Sequence, residues 1–264
     1  MGQRVDFSGN ASVYDRRHGA LLSRDVVEEL AAGGELEAGA HVLDVGAGTG
    51  RVAIAFASVG YQVTAVDPAL GMLSELRAKA RENPVDLVAA EGDRSPFAPR
   101  RFDAVILARI TYLIPNWKAA LREIYDLLKP GGCLFHEWSN GRADEAWVQI
   151  REKLRVLFQD AGVEKPFHPG ARSEAEVDAA LMELGFVRTK KLSIGCGPYM
   201  TLHEFVGRIA TGEFSYVWNI PAHVQESCIP LLNKWCQDTF DLEQSFPMPR
   251  ELEWSTYRKG LASN

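Results

Sequence analysis

The stretch His41-Val42-Leu43-Asp44-Val45-Gly46-Ala47-Gly48-Thr49-Gly50 decides how the rest of the chain is read. A short apolar run holding one acid leads into three glycines at alternate positions. Such a run reads as a buried strand. Glycines directly after it make a loop in which a ligand lies against bare backbone. The next residues, Arg51 to Val59, read as a helix closed by Gly60. Strand, glycine loop and helix in this order bring the free N–H groups of a helix start beside an electron-rich partner.

Outward from this loop, strands and helices alternate. Before it, Ser12 to Ala32 reads as one helix, with Leu21, Leu22, Val26, Val27 and Leu30 at helical spacing and Gly33-Gly34 as its stop. After it come a strand Gln62 to Val66, a helix Ala69 to Glu82, a strand Val85 to Ala90 and a strand Phe102 to Leu107. A helix Trp117 to Leu128 then ends at Lys129-Pro130-Gly131-Gly132, and Cys133 to Trp138 is the fifth strand. This alternation predicts a parallel sheet with helices on both faces, and right-handed crossovers set the glycine loop at the ligand-binding carboxyl edge.

After Asn140 the pattern changes to long helices, Ala143 to Ala161 and Glu174 to Leu184, and two last strands, Phe186 to Leu192 and Glu251 to Tyr257. About 50 residues separate those strands, long for a connection inside a compact sheet. They contain two helices, Thr201 to Ile209 and Pro221 to Phe240, and read as an inserted helical cap. Its aromatics Phe205, Phe214, Tyr216, Trp218 and Trp235 serve either to wall an apolar pocket or to pack the cap.

The chain has 264 residues, 46% hydrophobic and 24% charged, ordinary for a globular protein with a sizeable core. A net charge of −6 argues against a general nucleic-acid binder, which presents a basic surface. Cys133, Cys196, Cys228 and Cys236 form no C-x-x-C pair and no zinc spacing, so reduced thiols in a cytoplasmic protein are expected and no metal site. Residues 1–6 lack the apolar run of a secretory signal, Asp6 misses the myristoylation pattern, and no stretch approaches the roughly 20 apolar residues of a membrane helix.

Four further features bear on the ligand of the glycine loop. Asp67 ends the second strand about 20 residues on, where an acid accepts from both ribose hydroxyls. Asp44 stands two residues before the first glycine, and Asp93, in Glu91-Gly92-Asp93-Arg94 after the third strand, is placed to accept from an adenine amino group. Lys129-Pro130-Gly131-Gly132 makes a sharp turn into the fifth strand. The dinucleotide alternative requires Gly-x-Gly-x-x-Gly, but its last glycine falls on Arg51. A nicotinamide-dependent oxidoreductase is disfavoured accordingly.

With these residues in view, positions 41 to 138 resemble the core of class I S-adenosylmethionine (SAM)-dependent methyltransferases, close to the ubiquinone/menaquinone-biosynthesis group. The matching pieces are Leu43 to Arg51, Val66-Asp67-Pro68 with Met72, Gly92 to Phe97, Phe102 to Val105, and Leu127 to Gly132. The resemblance covers somewhat under half of the chain. It implies a Rossmann-like, doubly wound α/β fold: a mostly parallel seven-stranded sheet with an antiparallel last strand, an N-terminal helix and the helical cap between the last two strands. A single domain over 1–264 is expected, its core at 33–193 plus 247–260 and its cap at about 194–246.

The resemblance also implies roles. Gly46, Ala47, Gly48 and neighbouring backbone contact the methionine part of SAM, and Asp44 holds its amino group. Asp67 binds the ribose, Pro68 and Met72 line the adenine pocket, and Gly92, Asp93 and the Arg94 backbone meet the adenine edge. Ala108 and Arg109 lie near the methionine portion. In the entry helix, Tyr14 covers the cofactor and donates to its carboxylate, with Arg17 nearby.

The expected reaction is transfer of a methyl group to oxygen, nitrogen or carbon of a small-molecule acceptor, leaving S-adenosylhomocysteine. His136, near the end of the fifth strand, is the candidate base if it points into the cleft; one residue out of register, Glu137 takes that place and His136 packs against a helix. Tyr112 and Trp117 follow the fourth strand and are candidates for shaping the acceptor pocket, with His203 and His168 weaker. Members of the resembled family that methylate amide or adenine nitrogens usually carry Asn/Asp-Pro-Pro-Tyr after the fourth strand; here Leu107-Ala108-Arg109-Ile110 stands instead, which with the acidic charge favours a small molecule over DNA, RNA or protein. The alternative is a SAM-binding protein of the same fold that does not methylate, as a regulator or as another catalyst.

Overall fold

The structure is a computed structural model, and it describes residues 7–94, 96–138, 145–164, 169–195, 199–247 and 251–260. His168, Cys196 and the Arg17 side chain lie outside the described set. The chain divides into two compact units, one made of 7–138, 169–192 and 253–264 and the other of 139–168 and 193–252.

The first unit is built on a seven-stranded sheet. Its strands are β1 (His41–Val45), β2 (Gln62–Val66), β3 (Asp86–Val88), β4 (Phe102–Ala108), β5 (Leu128–Trp138), β6 (Phe186–Gly195) and β9 (Glu251–Lys259), in the order β3-β2-β1-β4-β5-β9-β6. β1 pairs in parallel with β2 and β4, β2 with β3, and β4 with β5. β9 pairs antiparallel with β5, Glu137 opposite Trp254. The parallel strands are those the alternating pattern predicts, and seven strands with an antiparallel last one are what the resemblance implies. Val42 to Val45 are all buried, as a central parallel strand covered on both faces requires.

The helices of this unit are α1 (Ala11–His18), α2 (Arg24–Gly33), α3 (Ala53–Ser58), α4 (Leu70–Lys79), α5 (Trp117–Leu127) and α7 (Glu174–Glu183). Ala120, Leu121, Ile124 and Leu127 form the inner stripe of α5, and they join Val177 and Leu181 of α7 and Val105 and Leu134 of the sheet in one apolar cluster. The Ser173 hydroxyl caps α7 by accepting from Glu176 N–H.

Two local expectations are corrected. The N-terminal helix is two helices, α1 and α2, because Gly19 ends the first and Ser23 adopts an extended conformation before the second. Leu22 N–H leaves the helical pattern to donate to Arg51 O, 3.2 Å away, tying this break to the glycine loop. β5 begins at Leu128, before the Lys-Pro-Gly-Gly turn. Phe102 pairs with Leu128 and Ala104 with Cys133, so the turn is a bulge within the strand, with Gly131 at φ +73°.

The second unit contains α6 (Ala146–Asp160), α8 (Leu202–Ala210), a 3-10 turn at Ser215–Val217, α9 (Ala222–Thr239) and a two-stranded ribbon of β7 (Tyr199–Thr201) and β8 (Ser245–Pro247). A reciprocal capping box of Thr201 and Glu204 starts α8. Trp147, Ile150, Leu154 and Phe158 of α6 pack with Phe205, Ile209, Leu232 and Cys236 in a wholly apolar cluster. The ribbon and the place of α6 beside α8 and α9 were not read from the sequence. Three-residue strands carry no usable period, and periodicity does not say which helix meets which.

Candidate functional site

β1 delivers Asp44 to the carboxyl edge of the sheet and Gly46 to Gly50 turn the chain away from it. Gly46 N–H and Ala47 N–H both donate to Val66 O, at 2.7 and 3.1 Å, which folds the loop back over β2. Gly46 (φ +71°) has no room for a side chain, since a Cβ there would lie 2.4 Å from Ile110 Cγ1. Gly48 (φ +55°) differs: its Cβ position meets nothing nearer than Tyr14 Cε1 at 3.8 Å. The open space at Gly48 is what a loop that receives a ligand requires.

Two buried acids flank this loop. Asp44 is 1% exposed, and its Oδ2 has no hydrogen-bond partner among the described residues. Burial pushes its carboxyl up to about 7, against the downward pull of Arg51 and of Ala53 N–H. An unpaired buried carboxylate oxygen is costly, and a cationic donor in the pocket would relieve it. Asp67, at the end of β2, accepts from Gly48 N–H at Oδ2 (2.9 Å) and from Ala69 N–H at Oδ1 (2.8 Å). Its pKa is raised by burial, although these two N–H groups pull it down. Asp67 therefore ties the glycine loop to the start of α4, and it is not among the residues lining the pocket beside that loop.

A concave pocket at this edge is lined by Tyr14 and His18 of α1, Asp44, Gly46 to Thr49, Arg51 and Val52, and Ala108 and Arg109 at the end of β4. Thus Tyr14, Asp44, Gly46, Ala47, Gly48, Ala108 and Arg109, expected from the sequence, come together. Pro68 precedes α4, whose Met72 is buried. Farther along the edge, Asp93 Oδ2 accepts from Asn116 Nδ2 at 3.2 Å, and Arg94 N–H closes a turn onto Glu91 O. Gly92 packs against Val45 and Ile114, where a Cβ would approach to 3.1 Å.

His136 and Glu137 resolve the register left open by the sequence. Glu137 faces the glycine loop: its Oε2 accepts from Arg51 Nη2 and its Oε1 from Arg109 Nε, at 2.7 Å. His136 points to the opposite face of β5. It is 1% exposed, its Nε2 lies 3.2 Å from Thr111 Oγ1, and its ring lies 6.0 Å from that of Trp138. Burial lowers its pKa to about 4, although Glu174, Glu137 and Asp178 work to raise it. An imidazole so placed does not reach the pocket beside Gly48. Tyr112 packs edge-on against Trp138, ring centroids 6.0 Å apart, and its carbonyl accepts from Gly170 N–H. His203 lies in α8 of the second unit.

Sequence reasoning missed Arg51 and Glu137 as a pair. By sequence alone Arg51 stands out only as the residue at the last glycine position of a dinucleotide loop. The available signal was the alternation Cys133, Phe135, Glu137, which sends an acid to the face that packs under the helix after the loop.

Among the described residues no cluster of three or more metal-ligating side chains occurs, and no helix is long and apolar enough to cross a membrane.

Residues 42–132 match the family described as "Methyltransferase domain". A demethylmenaquinone methyltransferase of Renibacterium salmoninarum is 40% identical over 96 residues, covering 36% of this chain and 40% of the relative. A malonyl-[acyl-carrier protein] O-methyltransferase of Serratia marcescens is 32% identical over 154 residues, covering 57% of this chain and 59% of the relative. The chain therefore spans about half the length of these curated relatives. A crystal structure of a methyltransferase-like protein from Bacillus halodurans superposes with a TM-score of 0.63 at 20% identity, covering 89% of this chain and 99% of that one. The resemblance of residues 41 to 138 to class I methyltransferases, first drawn from motifs, thus holds in both sequence and fold.

Proposed function

We propose that this protein is a SAM-dependent methyltransferase acting on a small-molecule acceptor. The observation that carries the reading is the buried, unpartnered Asp44 Oδ2 beside the open space at Gly48. The residues present fit the cofactor: Asp44 for its ammonium group, the Gly46 to Gly48 backbone for its methionine chain, and Asp67 for its ribose. Pro68 and Met72 would line the adenine pocket, with Gly92, Asp93 and Arg94 at the adenine edge. When bound, the cofactor supplies a methyl group made electrophilic by a positive sulfonium.

The chain's own part is binding, orientation and exclusion of water. An in-line displacement gains most from holding the acceptor opposite the departing sulfur. Asp67 fixes the glycine loop and the ribose together, so the sulfur is positioned from both sides. No base is assigned. His136, held near 4, stays neutral at pH 7 and accepts a proton weakly. An acceptor that is already ionised or carries a free amine needs none.

The acceptor class follows from the acidic balance of the chain, net −6, and from the relatives. Those relatives are named for demethylmenaquinone and for malonyl-[acyl-carrier protein], so quinone-type rings and acyl carboxylates are the first candidates. The test has two stages. S-adenosylhomocysteine at 100 times its dissociation constant should stabilise the protein by about 2.7 kcal/mol in a thermal shift, while NAD should not. Labelled methyl from SAM should then pass to a member of an acceptor panel built on those two classes. Stabilisation by NAD alone refutes the reading. Cofactor binding with no transfer across the panel favours the non-methylating alternative.

A further inference from the structure

The cluster of Arg51, Arg109 and Glu137 needs an explanation that folding alone does not provide. Glu137 is wholly buried, and it holds one guanidinium on each oxygen. The two arginines come from different elements, the exit of the glycine loop and the end of β4, and both line the pocket. A guanidinium carries five N–H donors. Arg109 spends Nε on Glu137 and Arg51 spends one N–H of Nη2, and no other side chain accepts from them among the described residues. Two guanidiniums on one carboxylate leave donors unspent at the pocket wall, while Asp44, on which Arg51 also acts, lines the same pocket.

A second observation is independent of charge. Arg109 adopts φ +56°, a left-handed conformation that L side chains rarely adopt. Its N–H donates to Glu137 O at 3.1 Å, so the backbone of β5 holds it there. Strain kept at a pocket wall by a neighbouring strand is characteristic of a group that must be aimed. Burial pulls the Arg109 guanidinium towards losing its proton, but Glu137 together with Tyr112 and Tyr14 more than offsets this, so Arg109 stays charged.

We propose that Glu137 is a positioning residue: it clamps Arg51 and Arg109 so that their remaining N–H groups read the carboxylate of the cofactor's amino-acid end. This rests on the SAM reading above. The pocket is then matched to a zwitterion. Asp44, with its unpaired oxygen, takes the ammonium, and the guanidinium pair takes the carboxylate through charge-assisted hydrogen bonds.

The experiment compares two ligands by calorimetry: S-adenosylhomocysteine, and its decarboxylated form, in which hydrogen replaces the carboxylate and the rest is kept. The wild type should bind S-adenosylhomocysteine at least tenfold more tightly than the decarboxylated form. In Glu137→Gln, the S-adenosylhomocysteine affinity should fall by tenfold or more while the decarboxylated ligand is bound within twofold of wild type. Arg109→Gln should collapse the ratio in the same way, and it carries the test if Glu137→Gln fails to fold. An unchanged ratio in the variants overturns the proposal. So does tighter S-adenosylhomocysteine binding by Glu137→Gln, which would mean that Glu137 competes with the ligand. Equal binding of both ligands by the wild type overturns this inference alone. Binding of neither overturns the cofactor reading as well, so the two failures are distinguishable.

Discussion

The two units of this protein bury different kinds of residue. The interior of the helical unit is apolar: Trp147, Phe158, Phe205, Phe214 and Leu232 pack with Cys228 and Cys236. The sheet unit has a comparable apolar cluster, yet it also buries Asp44, Asp67, His136, Glu137 and Lys259. Burying a charge costs several kcal/mol unless it is well paired. Lys259 is well paired, donating to the carbonyls of Tyr125 and Leu128 at 2.5 and 2.9 Å, where it closes the end of α5. Asp44 is not. Asp44 Oδ2 and His136 Nδ1 both lack a hydrogen-bond partner among the described residues, but of the two only Asp44 lines the pocket, so the contrast separates buried polarity that completes the fold from buried polarity that a ligand can reach.

The largest effect expected from this contrast lies in the helical unit. Phe205 is buried against Phe214 and Phe246, with ring centroids 5.1 and 5.9 Å away, and it has no polar role. Phe205→Ala should cost about 3–5 kcal/mol of stability, as truncation of a core aromatic does. Urea denaturation measures it. A loss under about 1 kcal/mol would mean that this interior is loosely packed, and the comparison would fail on its simpler side.

The same contrast explains what was legible in the sequence. The glycine loop, Asp67 and the strand–helix alternation carry strong local signals, because each needs a particular residue type at a particular place. The break at Gly19 was hidden because Leu21 and Leu22 continue an apolar spacing across it, while the bond from Leu22 to Arg51 is a long-range event. Glu137 was visible only as an alternative to His136. A strand's period assigns opposite faces to neighbours, but the partner that identifies the ligand side, Arg51, comes from 86 residues away. The helical unit was legible as helices and opaque as an assembly, since apolar stripes specify burial and not the partner.

The next effect is on the ligand side. Asp67→Ala removes the acceptor for Gly48 N–H and the proposed ribose contact together. Hydrogen bonds to a charged group are each worth about 1.5–3 kcal/mol, so losing one should weaken S-adenosylhomocysteine binding roughly 10- to 150-fold in calorimetry. Stability should fall too, because Gly48 N–H and Ala69 N–H both lose their acceptor, so affinity is read where the variant is still folded. Unchanged affinity would remove Asp67 from the site.

A smaller and more diagnostic effect concerns Asp44. Its carboxyl titrates near 7 in the free protein, and pairing with a ligand ammonium requires it ionised. Below that pKa, binding must first release a proton. S-adenosylhomocysteine affinity should therefore rise up to about tenfold per pH unit between pH 5.5 and 7 and level off above. Asp44→Asn should bind weakly at every pH and lose this slope. A wild-type affinity independent of pH across that range would show that Asp44 is not the ammonium's partner.

The finest test sets two buried groups of the sheet unit against each other. Asp44 has a folded pKa of about 7 against an ordinary 3.8, so between these values the folded state holds the extra proton and stability falls as pH rises. His136 has a folded pKa of about 4 against an ordinary 6.5, so the unfolded state holds the extra proton and stability grows as pH rises. Across pH 4 to 6.5 the two slopes oppose, each at most about 1.4 kcal/mol per unit. Arg51, Asp67 and Glu137 act on Asp44, and Glu137, Glu174 and Asp178 act on His136, but burial dominates both shifts. Ligand-free urea midpoints at pH 4.5, 5.5 and 6.5 should show Asp44→Asn rising with pH more steeply than wild type, and His136→Asn less steeply. If Asp44→Asn instead parallels the wild type, the carboxyl is already paired in the free protein. The unpaired oxygen at Asp44 would then be no mark of a waiting ligand, and the division between the two interiors would rest on Glu137 and its arginines alone.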